Sequence, residues 1–380
     1  MKIAVVHSFY SSASPSGENA VVRDQVQALA EAGHDVRLVA RHTDEESTRP
    51  FYKLTSAVNA ANGPGPSPDA TLSEFQPDIV HVHNLFPNWG TQWLKKWQGR
   101  LVATVHNFRP LCSAATLWRD GDDCTECLDA GSHSALKHRC YRDSVIATAP
   151  LAFASRGRGR HQPVLRFARR LITLNDHARA TYDGLARGHV LTIPNFVQPR
   201  SAPADSREGW LYVGRLTPEK GVLELIESFP AEHHLTIAGE GPLAARVRDR
   251  AENSANVTFV GRLSPEEVAV EMASSSGVII PSLWAEGIPT VALEALSASA
   301  PLIISNKCLS AEQLTSGGAG RVYDPYEGRS LAVAVRAIAA SSAEYQRGAE
   351  SRYRLDYSPD IWLERIVRLY EEVAALGQDR

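Results

Sequence analysis

The stretch Ile279–Ala295, IIPSLWAEGIPTVALEA, decides how the rest of the chain is read. It opens on an apolar strand end, turns through a loop with Pro281, Trp284 and Glu286, and enters an apolar helical run. Pro289 suits the first turn of that helix, where its missing N–H costs nothing. Glu286 falls in the strand-to-helix loop. Glu294, eight positions on, falls one to two turns into the helix. The amides around Gly287, Ile288 and Thr290 lie where a helix start offers donors to an anion.

The same strand–loop–helix unit recurs on both sides of this stretch. Lys2–His7, Asp35–Ala40, Asp78–His83, Leu101–His106 and Leu171–Asn175 read as strands. So do WLYVGR from Trp210, HLTIAG from His234, Asn256–Val260, Gly277–Pro281, Leu302–Ser305 and Ala319–Tyr323. Helical spacing marks Ala20–Ala32, Gly221–Phe229, the run from Leu243, Arg329–Ala340 and Ile361–Leu376, whereas Pro50–Pro68 reads as irregular. Such alternation predicts parallel sheets covered by helices on both faces. The polar, proline-bearing stretch from Thr192 into Ser201–Asp205 reads as a linker. The expectation is an α/β chain of two Rossmann-like, doubly wound parallel-sheet domains facing a cleft. The first takes residues 1–198, with a cysteine-rich insertion at about 107–142, and the second takes 199–358. A last helix, 359–380, is expected to cross back to the first domain. Ligands in such sheets sit at the carboxyl ends of the strands.

Composition narrows the function classes. With 43% hydrophobic and 22% charged residues, the 380-residue chain reads as a soluble globular protein. Its net charge of −3 gives no global basic field for nucleic acid. Neither a signal peptide nor an apolar run of membrane-spanning length is visible, so the expected location is the cytoplasm.

Two cations stand on the rim that Glu286 shares. In VGRLTPEKG, Arg215 leaves a strand end and Lys220 precedes the next helix, a pairing suited to a diphosphate. The spacing is not that of a Walker A loop. Taken together, GR-LTPEKG, GEGP at Gly239–Pro242 and the E-x7-E of Glu286 and Glu294 resemble a retaining glycosyltransferase of the family 4 type, with the GT-B fold. The likeness runs over nearly the whole chain, including IPNFV near the linker.

That resemblance implies a UDP- or GDP-sugar donor, an acceptor hydroxyl on a glycan, lipid-linked sugar or natural product, and a front-face step that needs no catalytic metal. It implies that Arg215 and Lys220 neutralise the diphosphate, that Glu294 takes the ribose hydroxyls, and that Glu286 holds the donor sugar with Gly287, Ile288, Pro289 and Thr290. Gly241 and Arg262 fall near the nucleotide. Gly17 replaces the family's pair of glycines near the diphosphate. His106 resembles the histidine at the reaction centre, and His83 is expected to face the acceptor. The rivals are a GT-B epimerase or hydrolase of UDP-sugars, which turns over donor without acceptor, and a non-catalytic nucleotide-sugar-binding protein.

Two further features stand apart. Cys112, Cys124, Cys127 and Cys140 fall within 29 residues, with a C-x2-C at the centre. In a cytosolic chain this pattern suggests a structural Zn²⁺, with His133 or His138 as substitutes for one thiolate. Disulfides and free thiols are the other readings. A subset of the family shows a similar four-cysteine loop. Cys308, alone, reads as a packed residue. The arginine-rich run Arg156–Arg170 reads as a solvated helix face, or as peripheral contact with anionic lipid at the inner membrane face.

Overall fold

The computed structural model describes residues 1–12, 17–199 and 207–378. Ser16 and the linker stretch Ser201–Asp205 lie outside the described residues. The chain divides into two compact units. One comprises Met1–Arg119, Asp123–Ile193 and the chain from Leu363; the other comprises Asp120–Asp122 and Pro194–Trp362.

The first unit is built on strands β1 (Lys2–Phe9), β2 (Asp35–His42), β3 (Ile79–Val82), β4 (Leu101–Val105), β5 (Arg170–Thr173) and β6 (His189–Thr192). They form one parallel sheet in the order β2-β1-β3-β4-β5-β6. β3 and β4 are buried along their whole length and are apolar except for His81 and Thr104, which hydrogen-bond to each other. The order reverses beside β1, so the loops after β1 and β3 bound a switch point.

The second unit carries β7 (Trp210–Val213), β8 (Leu235–Ala238), β9 (Val257–Gly261), β10 (Gly277–Ile280), β11 (Leu302–Ser305) and β12 (Gly320–Tyr323). These are also all parallel, in the order β9-β8-β7-β10-β11-β12. Side chains alternate between its two faces. Trp210, Tyr212, Ile279 and Ile303 enter one core; Leu211, Val278, Ile280, Leu302 and Ile304 enter the other. Two parallel-sheet, Rossmann-like units are the α/β architecture expected.

The IPNFV segment has a packing role. Val197 accepts from the Tyr353 hydroxyl at 2.9 Å, its N–H donates to the Tyr357 carbonyl, and Phe196 rests on Trp362. Helix Pro359–Gln378 closes the chain. Within the first unit, Tyr370 is fully buried and its hydroxyl meets His81 Nδ1 at 2.6 Å.

The structure adds helices the sequence reading did not name, Val145–Ala154 among them, and departs from that reading in four further respects. Tyr52–Ala60 is a helix inside the stretch read as irregular; Pro50 and Gly63 bracket it, but its own residues carry no breaker. The first helix begins at Gly17, three residues before the expected start. The edge strand β6 was not foreseen, because His189–Thr192 is too short to show a period. The arginine-rich run is not one helix face: turns carry Arg156, Arg158 and Arg160, helix Pro163–Phe167 carries Arg166, and Arg170 opens β5.

Candidate functional site

The second unit's switch point lies between β7 and β10, and the two loops singled out by sequence emerge there. Arg215 follows β7. Lys220 ends the 3-10 turn Pro218–Lys220, and Gly221 follows at φ 68°. A Cβ on Gly221 would lie 2.1 Å from the Pro281 carbonyl oxygen, so only glycine lets this turn press on the end of β10. Leu283 N–H donates to the Glu219 carbonyl at 2.9 Å and ties the loops together.

That docking brings Lys220 to Glu286. Lys220 Nζ donates to Glu286 Oε1 at 2.5 Å, and Ser282 Oγ donates to Oε2 at 2.6 Å. The Lys220 and Glu286 side chains are only 17% and 14% exposed, so the pair is held away from bulk water. Lys220 also lies over the Trp284 ring. Beneath the loop, the Glu286 carbonyl accepts from Leu309 N–H and from the buried Cys308 thiol. Arg215 is open by contrast, 67% exposed and 3.8 Å from Glu219.

Arg215, Lys220, Glu286, Pro289 and Thr290 line one pocket with Gly214 and Ser282. Helix Thr290–Ser297 starts at its edge, and Pro289, the N-cap, offers no side-chain acceptor to the first-turn amides. Glu294 sits on this helix, half-buried, and does not line the pocket; nor do Gly287 and Ile288. Gly241 and Arg262 lie in neighbouring loops. Gly241 packs on the backbone of Leu216, where a Cβ would meet the carbonyl oxygen at 2.5 Å. Arg262 pairs with Glu240 at 2.9 Å, both exposed. The loops after β7, β8 and β9 are thus contiguous.

In the first unit the switch point gathers histidines. His83 Nδ1 and His106 Nε2 are 2.9 Å apart with rings stacked, so one donates and the other accepts. His83 Nε2 is buried without a partner among the described residues. His81 is held by Thr104 at 2.8 Å and by Tyr370, and His7 meets Asn19 at 3.3 Å. Burial pushes His7 down to about 4 and His81 and His106 down to about 3; neighbouring imidazoles add to the fall at His106. The cluster is neutral at physiological pH.

His83 and His106 line a second pocket with Asn84, Glu18 and Arg109. Burial raises the Glu18 carboxyl to about 8, against the pull of Arg109. Arg109 lies over the Phe86 ring, and its Nη1 donates to the Ser113 carbonyl at 2.5 Å. Sequence reasoning singled out neither residue. Glu18 reads as an acid in a first helical turn, and Arg109 sits among loop residues. Gly17, the first residue of that helix, is exposed and outside this pocket.

The four cysteines are free thiols in the first unit. Burial raises Cys127 to about 11, and Cys112, Cys140 and Cys124 each add to the rise. Cys127 and Cys140 share a small apolar cluster with Ala135 and Ala152. Among the described residues, no three His, Cys, Asp or Glu groups are arranged to hold a metal ion. His138 pairs with Glu126 at 3.0 Å.

Comparison with known proteins follows the same two halves. A Glycosyltransferase Family 4 model matches residues 15–201, and a Glycosyl transferases group 1 model matches residues 197–354. Glycogen synthase of Mycobacterium tuberculosis is 35% identical over 168 residues, 42% of this chain and 39% of that protein. The match therefore spans about two fifths of that relative's length. Among solved structures, sucrose-phosphate synthase from Thermosynechococcus elongatus superposes with a TM-score of 0.67 at 18% identity, covering 98% of this chain and 99% of that one. Anabaena Alr3699/HepE, in complex with UDP-glucose, superposes at 0.61 with 13% identity over 98% and 100%. The chain belongs to the glycosyltransferases of the GT-B fold, its first half of the Family 4 type and its second of group 1.

Proposed function

We propose that this chain is a retaining glycosyltransferase that moves a sugar, of hexosyl type, from a UDP- or GDP-linked donor to an acceptor hydroxyl. The observation that carries the reading is the convergence of Arg215, Lys220, Glu286, Pro289 and Thr290 on one pocket at the switch point of the second sheet. The likeness to a protein seen with UDP-glucose supports the donor chemistry.

In this assignment Arg215 and Lys220 neutralise the diphosphate, and Glu294 takes the ribose hydroxyls. Glu286 and the amides of Gly287, Ile288 and Thr290 hold the sugar, while Gly241 and Arg262 flank the nucleotide. In the first unit, Gly17 and His106 keep the roles the family resemblance implies, and the pocket of His83, Glu18 and Arg109 takes the acceptor. Lys220 has three donors, so it can serve Glu286 and a phosphate oxygen together, while Ser282 keeps Glu286 in place.

The step itself balances simply. The acceptor oxygen bonds the anomeric carbon on the face from which the phosphate departs. The carbon–oxygen bond to the diphosphate breaks, and a phosphate oxygen takes the acceptor's proton. The products are a glycoside of unchanged anomeric configuration and a nucleoside diphosphate. Negative charge grows on the diphosphate as the bond breaks, so fixed cations favour the transition state over the bound donor. With two side-chain cations there, the proposal assigns no step to a divalent ion.

Donor turnover measured with and without acceptor tests the reading, with the product's anomeric configuration read by NMR. Turnover that needs acceptor and keeps the configuration is the expected result. Turnover of donor alone, or tight nucleotide binding with no turnover, would replace it with the epimerase or the binding protein.

A structural Zn²⁺ on Cys112, Cys124, Cys127 and Cys140 is a separate proposal. Its support is the closeness of Cys127 and Cys140 in one small cluster and the C-x2-C of Cys124 and Cys127; because no metal-holding arrangement is present among the described residues, the thiols would have to turn toward one another to close on the ion.

A further inference from the structure

Twelve large apolar side chains are exposed among the described residues, and five of them lie on two neighbouring helices of the first unit. Phe51 and Leu54 belong to the start of helix Tyr52–Ala60; Val145, Ile146 and Phe153 belong to helix Val145–Ala154, which packs against it. Phe51 and Ile146 are 81% and 86% exposed, close to full contact with water. Ile146, Pro150 and Phe153 stand at i, i+4 and i+7, so they share one helix face. Phe51 is held in the left-handed region at φ 61°, a conformation that costs a non-glycine residue energy. Scattered apolar residues need no explanation, but a contiguous group does.

A groove runs between these helices, and its charge is one-sided. Arg49, Lys53 and Arg142 line it, and no carboxylate does. Neither helix contains an acidic residue. Arg49 also holds Glu46 at 3.2 Å, and Arg156 lies 3.8 Å over the exposed Phe153 ring, extending the cationic rim. Tyr52 and Tyr141 add amphipathic rings. The groove shares Ala60, Phe86 and Leu151 with the pocket of His83 and His106, so the two are continuous.

We propose that this face docks on an anionic bilayer. Phe51, Leu54, Ile146 and Phe153 enter the boundary between headgroups and acyl chains, and Lys53, Arg142 and Arg156 meet lipid phosphates. A second copy of the chain is a poorer occupant, because two such faces would bring like charges together. Docking stands on this face alone. That the bilayer also supplies the acceptor, through the groove, rests on the transferase reading.

The test is co-sedimentation of the full chain with extruded vesicles, either pure phosphatidylcholine or an equal mixture with phosphatidylglycerol. Binding to the mixed vesicles at low salt, weakened by high salt and by omission of the anionic lipid, is expected. Ile146→Asp should lower the partition coefficient at least about tenfold. Lys53→Glu with Arg142→Glu should lower it further on anionic vesicles only. Unchanged thermal unfolding separates lost docking from lost folding, and both mutated sites are exposed enough for that control to hold. Equal partitioning of Ile146→Asp and the native chain, absence of binding at low salt, or a concentration-dependent dimer abolished by Ile146→Asp would overturn the proposal. Vesicle binding by a chain that fails the donor-turnover test with and without acceptor would leave docking standing and remove the transferase reading instead.

Discussion

Replacing Lys220 with alanine puts the most weight on one contact. Its ammonium sits 2.5 Å from Glu286, with both side chains largely buried, and two costs follow from removing it. The first is catalytic. A preorganised cation at a departing diphosphate supplies about 3 kcal/mol to the transition state, or about a hundredfold in kcat. The second is structural. Breaking one side of a buried pair leaves Glu286 with Ser282 alone, at a cost of roughly 3 kcal/mol of stability. The double variant Lys220→Ala with Glu286→Gln separates them. A neutral amide in place of the stranded carboxylate should restore the melting temperature but not the rate. Initial rates against donor give kcat and KM, and calorimetric titration with the nucleoside diphosphate should show weaker binding in the single variant. A kcat within about threefold of the native value, or a rate recovered along with stability in the double variant, would mean that Lys220 only counters Glu286. The diphosphate assignment would then fall.

Arg215→Ala should cost less, about tenfold in kcat, because this side chain is 67% exposed and solvent screens it; a loss as deep as that of Lys220→Ala would contradict the difference in burial. Glu294→Ala should raise the donor KM by about ten- to a hundredfold with kcat little changed, as expected for a charged hydrogen bond to ribose made equally in both states. A fall in kcat with KM intact would remove Glu294 from that role. The histidine cluster sets an acid limit. His81, lowered to about 3, takes up a proton on unfolding between about pH 3 and 6.5, so stability present at neutrality is lost as pH falls through that window, by about 2 kcal/mol at pH ~5. Urea unfolding from neutral to mildly acid pH checks this, and a flat profile would refute it. Protein purified without chelator should carry one zinc per chain if the four cysteines close on a metal; absence of zinc with four titratable thiols ends that proposal.

Much of the second unit was legible because its information is local. Each loop follows a strand of four or five apolar residues, and glycines mark where backbone must approach backbone. The first unit was less legible for two physical reasons. Its pocket draws on Glu18 and Arg109, whose chemistry comes from burial and not from neighbours in sequence. The basic, apolar face was sought in the arginine-rich run, where turns and a strand break the surface. The face proposed for docking takes Arg156 from that run, but its apolar side chains lie on helix Val145–Ala154 and at helix Tyr52–Ala60, hidden in a stretch that Pro50 and Gly63 made look irregular.

The pair at the centre of the proposed site shows where sequence reading stops. Lys220 and Glu286 are 66 positions apart, and nothing local in either segment names the other. What joins them is strand order. β7 and β10 are hydrogen-bonded neighbours because the sheet reverses between them, so the loops after both must share an edge. Gly221 against Pro281 then sets the approach of those loops. Ile279–Ala295 therefore does not act as a strand and helix carrying two acids. Glu286 is held from two sides by Lys220 and Ser282, while Glu294 stands a turn farther along the helix and outside the pocket. The two acids thus differ in position, while the sugar for Glu286 and the ribose for Glu294 are roles proposed from the family resemblance.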